Sequence, residues 1–159
     1  MTRLAESLQA VVLLDDRGVA DRDSAFAAIV DAMAAAGAIP PALAGRAVEA
    51  MIDRAELGPT AIGEGVAIPH AWCRGLERTV AALGVSRKGL GGYESLDGEP
   101  VHLVLAILTP PERSAEAAKQ ALFDAWLGRL RDPAFREAVR LSGTADDVRR
   151  RLRDADAAS

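Results

Sequence analysis

Two histidines occur in this chain, His70 and His102, and only one of them has neighbours that can do chemistry with it. His70 closes a stretch that begins at Arg54, passes a loop broken by Gly58, Pro59, Gly63 and Gly65, and becomes a β-rich run, Val66-Ala67-Ile68, stopped by Pro69-His70. A strand end behind a glycine-rich loop is a place to display a reactive side chain. The loop can bring backbone N–H groups, the Thr60 hydroxyl and the Arg54 guanidinium to one spot, and these are donors that hold phosphate-like oxygens. Read alone, Arg54 is a cation near a helix C-terminus, where the helix dipole favours it. His102 lies inside the apolar run Val101–Leu108 and reads as a packed or edge residue of a strand, with no chemical partner beside it in sequence.

The elements that must position these residues follow from periodicity. Ala10–Leu14 is a β-branched apolar run closed by Asp15-Asp16-Arg17-Gly18, which predicts a first strand and its turn. Phe26, Ile29, Val30 and Met33 share one helical face, with Asp21 or Asp23 able to cap it and Gly37 to end it. Pro40-Pro41 opens a second helix, which carries Leu43, Ala47 and Met51 toward Gly58 and places Arg54 in its last turn. Residues 71–75 read as irregular. Thr79–Ser86 predicts a strand, Lys88–Pro100 a turn-rich connection, and Val101–Leu108 a strand in the middle of a sheet.

Thr109-Pro110-Pro111 ends that strand, and Ser114 is the expected N-cap of a helix running to about Arg131, with Leu122, Trp126 and Leu130 buried and Phe123 alongside. Lys119, four residues before Phe123, shares that side. Asp132-Pro133 starts a helix with Phe135 and Val139 on one face. Thr144 to Asp147 resembles a capping box opening a last helix through Val148 and Leu152, whose arginine-rich end is a solvated face. Strands separated by helices predict an α/β layered fold, residues 1–159 forming a single domain with its sheet between helices.

Composition narrows the function. Half of the residues are hydrophobic, enough for a real core. A net charge of -4 gives no basis for nucleic-acid binding, which needs concentrated positive charge, so protein partners are expected. One cysteine, Cys73, allows no internal disulfide, and two histidines supply no ligand set of metal-site spacing. No metal is expected, and a reducing cytoplasm is. Glu6 interrupts the apolar core that a signal peptide needs, and no later apolar run reaches membrane-spanning length, so no insertion into a membrane is expected.

At Arg54, Leu57-Gly58, Thr60, Ile62-Gly63 and above all Gly65-Val66-Ala67-Ile68-Pro69-His70-Ala71, the chain resembles the IIA component of the bacterial sugar phosphotransferase system. The type is the fructose/mannitol one, which includes the nitrogen-regulatory version, and the resemblance runs over most of the chain. It departs from the family at three points. Ala55 follows the arginine where the family has an acid, which here comes one place later at Glu56. Pro59 stands where serine is frequent, and Lys119 falls where a later helix carries a second histidine.

The resemblance implies a mixed sheet, and a shallow cleft in which the Pro69-His70 strand end faces the start of the helix that bears Lys119. A histidine in a cleft can be a general base, a metal ligand or a phosphoryl acceptor. The chain lacks a serine or cysteine motif for the first and ligands for the second. The third needs a neutral imidazole and cationic or N–H donors around the phosphoryl oxygens. By resemblance, His70 accepts a phosphoryl group from the phosphohistidine of the small phosphocarrier protein and passes it to a IIB domain, with no cofactor. Arg54, Thr60 and Lys119 are then expected to bind the phosphoryl oxygens, and Glu64 to be a hydrogen-bonding neighbour. The alternative is a regulatory module that binds target proteins according to the state of the histidine. A degenerate IIA domain acting only through protein contacts is suggested by Ala55, Pro59 and Lys119, and opposed by the intact His70.

Overall fold

The computed structural model describes residues 2–158. Six strands form one mixed sheet: β1 (Ala10–Leu13), β2 (Ala61–Gly63), β3 (Val66–Ala67), β4 (His70–Trp72), β5 (Val80–Leu90) and β6 (Val101–Thr109). Their spatial order is β1-β5-β6-β3-β2, with β4 also on β6. β5 and β6 are antiparallel, β1 runs parallel to β5, and β3 and β4 run parallel to β6. Layered α/β architecture with a mixed sheet between helices is therefore the fold.

On one face lie α2 (Arg22–Ala35) and α3 (Ala44–Glu56), burying Phe26, Ile29, Met33, Ala47 and Met51 against Val12, Ala82, Val104 and Leu108. On the other lie α1 (Leu4–Ser7), α4 (Glu116–Leu130), α5 (Pro133–Arg140) and α6 (Ala145–Ala157), which bury Leu4, Trp126, Phe135, Val139, Val148 and Leu152 against Leu83, Leu105 and Ile107. α2 comes so close to the sheet that a Cβ on Gly84 would lie 2.7 Å from Ile29 Cδ1, so only glycine fits there. Of the two acids able to cap α2, Asp21 does so, and Thr144 caps α6 as expected; Asp132 caps α5 as well, and the three side chains accept from the N–H groups of Ser24, Asp147 and Ala134 respectively.

Several boundaries differ from expectation. Ser114 does not cap α4; it sits in a 3₁₀ turn, Arg113–Ala115, and Ala115 at the cap position makes no side-chain bond. Pro41–Leu43 is likewise a 3₁₀ turn, which leads directly into α3. β5 extends four residues past Ser86. Residues 70–72, expected as strand end and irregular chain, form β4. α1 and β2 are too short to show a period.

The break between β3 and β4 matters most for the site. Val66 pairs with Leu103 and Ala67 with Val104, then His70 with Ile107, Ala71 with Leu108 and Trp72 with Thr109. The offset is the same throughout, so β3 and β4 are one line along β6 interrupted at Ile68-Pro69 without a change of register. Pro69 cannot donate, but its carbonyl still accepts from the Ile107 N–H at 2.9 Å. Alternation therefore continues through the break. His70 points to the same face as Ile68 and Ile107, the face covered by α4.

Candidate functional site

His70 is half-buried at the start of β4. Its Nδ1 lies 3.1 Å from the Ile68 carbonyl oxygen. A carbonyl can only accept, so this bond requires the proton on Nδ1 and leaves Nε2 with a free lone pair. The ring meets Phe123 of α4 edge to face, with centroids 6.2 Å apart and planes at 81°. Two neighbours thus fix the imidazole, one by hydrogen bonding and one by packing.

Around it opens a cleft of about 460 Å³ lined by Ala50, Asp53, Arg54, Leu57, His70, Ala71, Trp72 and Lys119. β4 is an edge strand, so the cleft straddles the sheet's edge and draws cations from both helical layers. Arg54 comes from the last turn of α3 and donates to the Gly58 carbonyl at 3.4 Å. Among the described residues it forms no ion pair, and its other N–H donors stay available. Lys119 comes from α4, one turn before Phe123, with its Nζ 2.8 Å from Glu116 Oε1. The structure thus brings His70, Arg54 and Lys119 to one place.

It does not bring Thr60 or Glu64 there. Thr60 is buried, and its hydroxyl lies 3.0 Å from the Tyr93 hydroxyl on the α2 side. Burial pushes the Tyr93 phenol up to about 12, against smaller lowering effects of the Thr60 hydrogen bond and the Arg22 charge. Glu64 sits at the tip of the β2–β3 turn with φ 57°, between Gly63 and Gly65, which also have positive φ. Its carboxylate pairs with Arg136 at 3.1 Å, and its N–H donates to Asp97 at 2.7 Å. The glycine-rich loop is therefore a hairpin turn beside His102, whose N–H donates to the Gly65 carbonyl at 2.8 Å. Between that turn and His70 runs the length of β3, roughly 15 Å along the strand. The amides of Gly63, Glu64 and Gly65 are therefore at the wrong end of the strand to reach His70.

His102 itself has Nδ1 2.8 Å from the Ser86 carbonyl and lines a separate small cleft with Glu64, Arg136, Glu137 and Arg140. Nor does Glu56 serve the His70 cleft, since it reaches Arg22 at 3.5 Å. The carboxylate in the cleft is Asp53. Asp53 has a detectable signal in the sequence, because Ala50, Asp53, Arg54 and Leu57 stand at the i, i+3, i+4, i+7 spacing of one helical face. Trp72 and Leu57, at 65% and 84% exposure, flank the cleft as large apolar side chains in solvent. Cys73, next to Trp72, is buried, which pushes its thiol up and disfavours the reactive thiolate.

A family model described as "phosphoenolpyruvate-dependent sugar phosphotransferase system, EIIA 2" matches residues 7–155. The chain belongs to this EIIA 2 family. Curated relatives include the fructose-specific EIIABC component of Bacillus subtilis, 40% identical over 58% of this chain and 13% of that protein. The nitrogen regulatory protein of Bradyrhizobium diazoefficiens is 36% identical over 63% of this chain and 63% of its own length. The chain thus spans less than two thirds of either relative. Among solved structures, the nitrogen regulatory protein IIA-Ntr from Neisseria meningitidis superposes with a TM-score of 0.75 at 24% identity, covering 95% of this chain and 99% of that one. The IIA mannitol protein of Escherichia coli gives 0.65 at 22% identity over 84% and 90%. These two likenesses concern the fold of an EIIA 2 domain. Among the described residues no helix is long and apolar enough to cross a membrane.

Proposed function

We propose that this EIIA 2 chain is a phosphoryl carrier in which His70 Nε2 takes a phosphoryl group from the phosphohistidine of the phosphocarrier protein. The observation that carries the reading is the His70 imidazole itself, its Nδ1 held on the Ile68 carbonyl and its other nitrogen left free in a cleft that also holds Arg54 and Lys119. Phosphoryl transfer needs little covalent help from the protein beyond position and charge, and the cleft offers both. The Arg54 fork can bind two phosphoryl oxygens at once, and the Lys119 ammonium can bind the third from the opposite side. Thr60 and Tyr93 act below the site, anchoring the chain as it leaves α3 for β2.

The group then passes to a IIB domain or serves as a signal to a regulated target. A solved complex of the Escherichia coli mannitol IIA with phosphorylated IIB shares this fold, and the nitrogen regulatory relatives support the second destination. The test is incubation with phosphoenolpyruvate, the first enzyme of the system and its phosphocarrier protein, read by intact mass. One acid-labile phosphate is expected on the wild type, none on His70→Ala, and an unchanged gain on His102→Ala. Labelling that survives the loss of His70 would end this reading.

A further inference from the structure

Glu116 opens α4 beside the cleft and holds the only charged contact that Lys119 makes among the described residues, with Oε1 2.8 Å from Nζ. The two members of the pair are unequally placed. The Lys119 side chain is 18% exposed and lines the cleft, whereas the Glu116 carboxylate is 48% exposed. Two cations, Arg54 and Lys119, thus stand against two carboxylates, Asp53 in the cleft and Glu116 paired with Lys119, and their formal charges cancel before any phosphoryl group arrives.

We propose that Glu116 is a positioning residue for phosphoryl transfer. It holds the Lys119 ammonium while His70 is unmodified and releases it to the phosphoryl oxygens when His70 is modified, and so sets how firmly the group is retained. This rests on the phosphoryl-carrier reading above. An exposed i,i+3 pair is weak, whereas a doubly charged phosphoryl group in a partly desolvated cleft attracts an ammonium more strongly. Glu116 can lose its partner at little cost, because its carboxylate is half in water and lies in the first turn of α4, where the helix dipole favours an anion. Lysine suits the exchange: its donors sit on a long rotatable stem, and a planar ring does not swing in this way.

The covalent step balances without a proton on the move. The Nε2 lone pair of His70 forms the new N–P bond as the donor's P–N bond breaks, and the electron pair of that bond stays on the donor imidazole, whose other ring nitrogen keeps its own proton so that the ring leaves neutral. Nδ1 keeps its proton on the Ile68 carbonyl, and Lys119 exchanges one anionic partner for another.

The experiment measures the phosphorylated fraction at equilibrium by intact mass, at a fixed phosphoenolpyruvate to pyruvate ratio with the first enzyme and the phosphocarrier protein present. Wild type, Glu116→Gln, Glu116→Asp, Lys119→Ala and the double variant Glu116→Gln/Lys119→Ala are compared. Removing the competing carboxylate should raise the ratio of modified to unmodified protein about threefold, the size expected of an exposed ion pair. Glu116→Asp, which keeps the charge, should stay near wild type, Lys119→Ala should lower the ratio, and Glu116→Gln should do nothing further once Lys119 is absent. A Glu116→Gln ratio equal to or below wild type, or a rise that persists without Lys119, overturns the proposal. A wild type that takes up no phosphate at all overturns the carrier reading first, and this inference with it.

Discussion

Replacing Thr60 by valine separates two roles that the same hydroxyl can have. In the structure Thr60 is 5% exposed and its Oγ1 lies 3.0 Å from the Tyr93 hydroxyl, while the Tyr93 ring meets Phe26 edge to face at 5.9 Å. Valine fills the same volume but offers no partner, so the phenolic hydroxyl is stranded in a buried place. A stranded buried hydroxyl costs about 1–3 kcal/mol. For a domain of this size each kcal/mol moves the melting temperature by about 2–4 °C, so a fall of roughly 2–12 °C is expected. Phosphoryl acceptance, measured as an initial rate with saturating phosphocarrier protein, should stay within about twofold, because the hydroxyl does not line the His70 cleft. Tyr93→Phe should cost a similar amount, and the double variant less than the sum, as for any pair that shares one bond. A Thr60→Val protein with unchanged melting and a rate cut tenfold or more would refute the reasoning, and would return this hydroxyl to the phosphoryl oxygens.

Three further outcomes are expected. Arg54→Lys keeps the charge and loses the two-pronged donor, so acceptance should slow by about tenfold or more with melting almost unchanged; equal losses in both would make Arg54 a helix-end cation only. Tyr93 has a folded pKa raised from 10.0 to about 12 by burial. Its contribution is present below about pH 10 and is lost as pH rises toward about 12, up to roughly 3 kcal/mol in chemical denaturation, and Tyr93→Phe should remove that alkaline limb. Lys119 brings a cation to the cleft on a flexible stem, so Lys119→Ala should slow acceptance more than Lys119→Arg does. Equal initial rates for wild type and these two variants would remove Lys119 from the transfer.

The cleft was legible in the sequence as far as side-chain periodicity reached. Arg54 follows from the stripe of α3, Lys119 from its spacing to Phe123, and His70 from the strand that ends in Pro69; the structure unites all three. Glu64 lies away from His70 because sequence proximity says nothing about where a hairpin turns, whereas Thr60 is folded back beside Ile68, whose N–H donates to its carbonyl at 3.0 Å, and its hydroxyl is drawn from the cleft by Tyr93. Three consecutive residues with positive φ at Gly63, Glu64 and Gly65 reverse the chain there, and β3 then carries it the length of several residues before His70. The register that places the turn beside His102 depends on a partner strand some forty residues away, roughly the offset of the pairing, and no local pattern encodes it. In sequence, Glu56, one residue after Ala55, is the nearest counterpart of the family's acid. On a helix one residue is a rotation of about 100°, enough to send Glu56 to Arg22 and leave the cleft to Asp53.

The same geometry bears on why a phosphoryl-carrying histidine, as proposed above, would stand on an interrupted edge strand. A residue inside a fully paired strand between helices is out of reach of another protein, and a residue on a free loop has no fixed tautomer. β4 gives His70 a backbone ladder on one side through β6 and an open side toward the cleft, and the Pro69 interruption frees this edge without shifting register. The ring is therefore held at Nδ1 and against Phe123, and Nε2 is the nitrogen the carrier proposal needs free. Of the two cations, Arg54 is tethered to the Gly58 carbonyl, while Lys119 hangs on a flexible stem from the opposite layer. On the phosphoryl-carrier proposal, a held acceptor, a tethered fork and one movable charge would let the cleft follow a phosphoryl group as it changes partners, with no movement of the sheet.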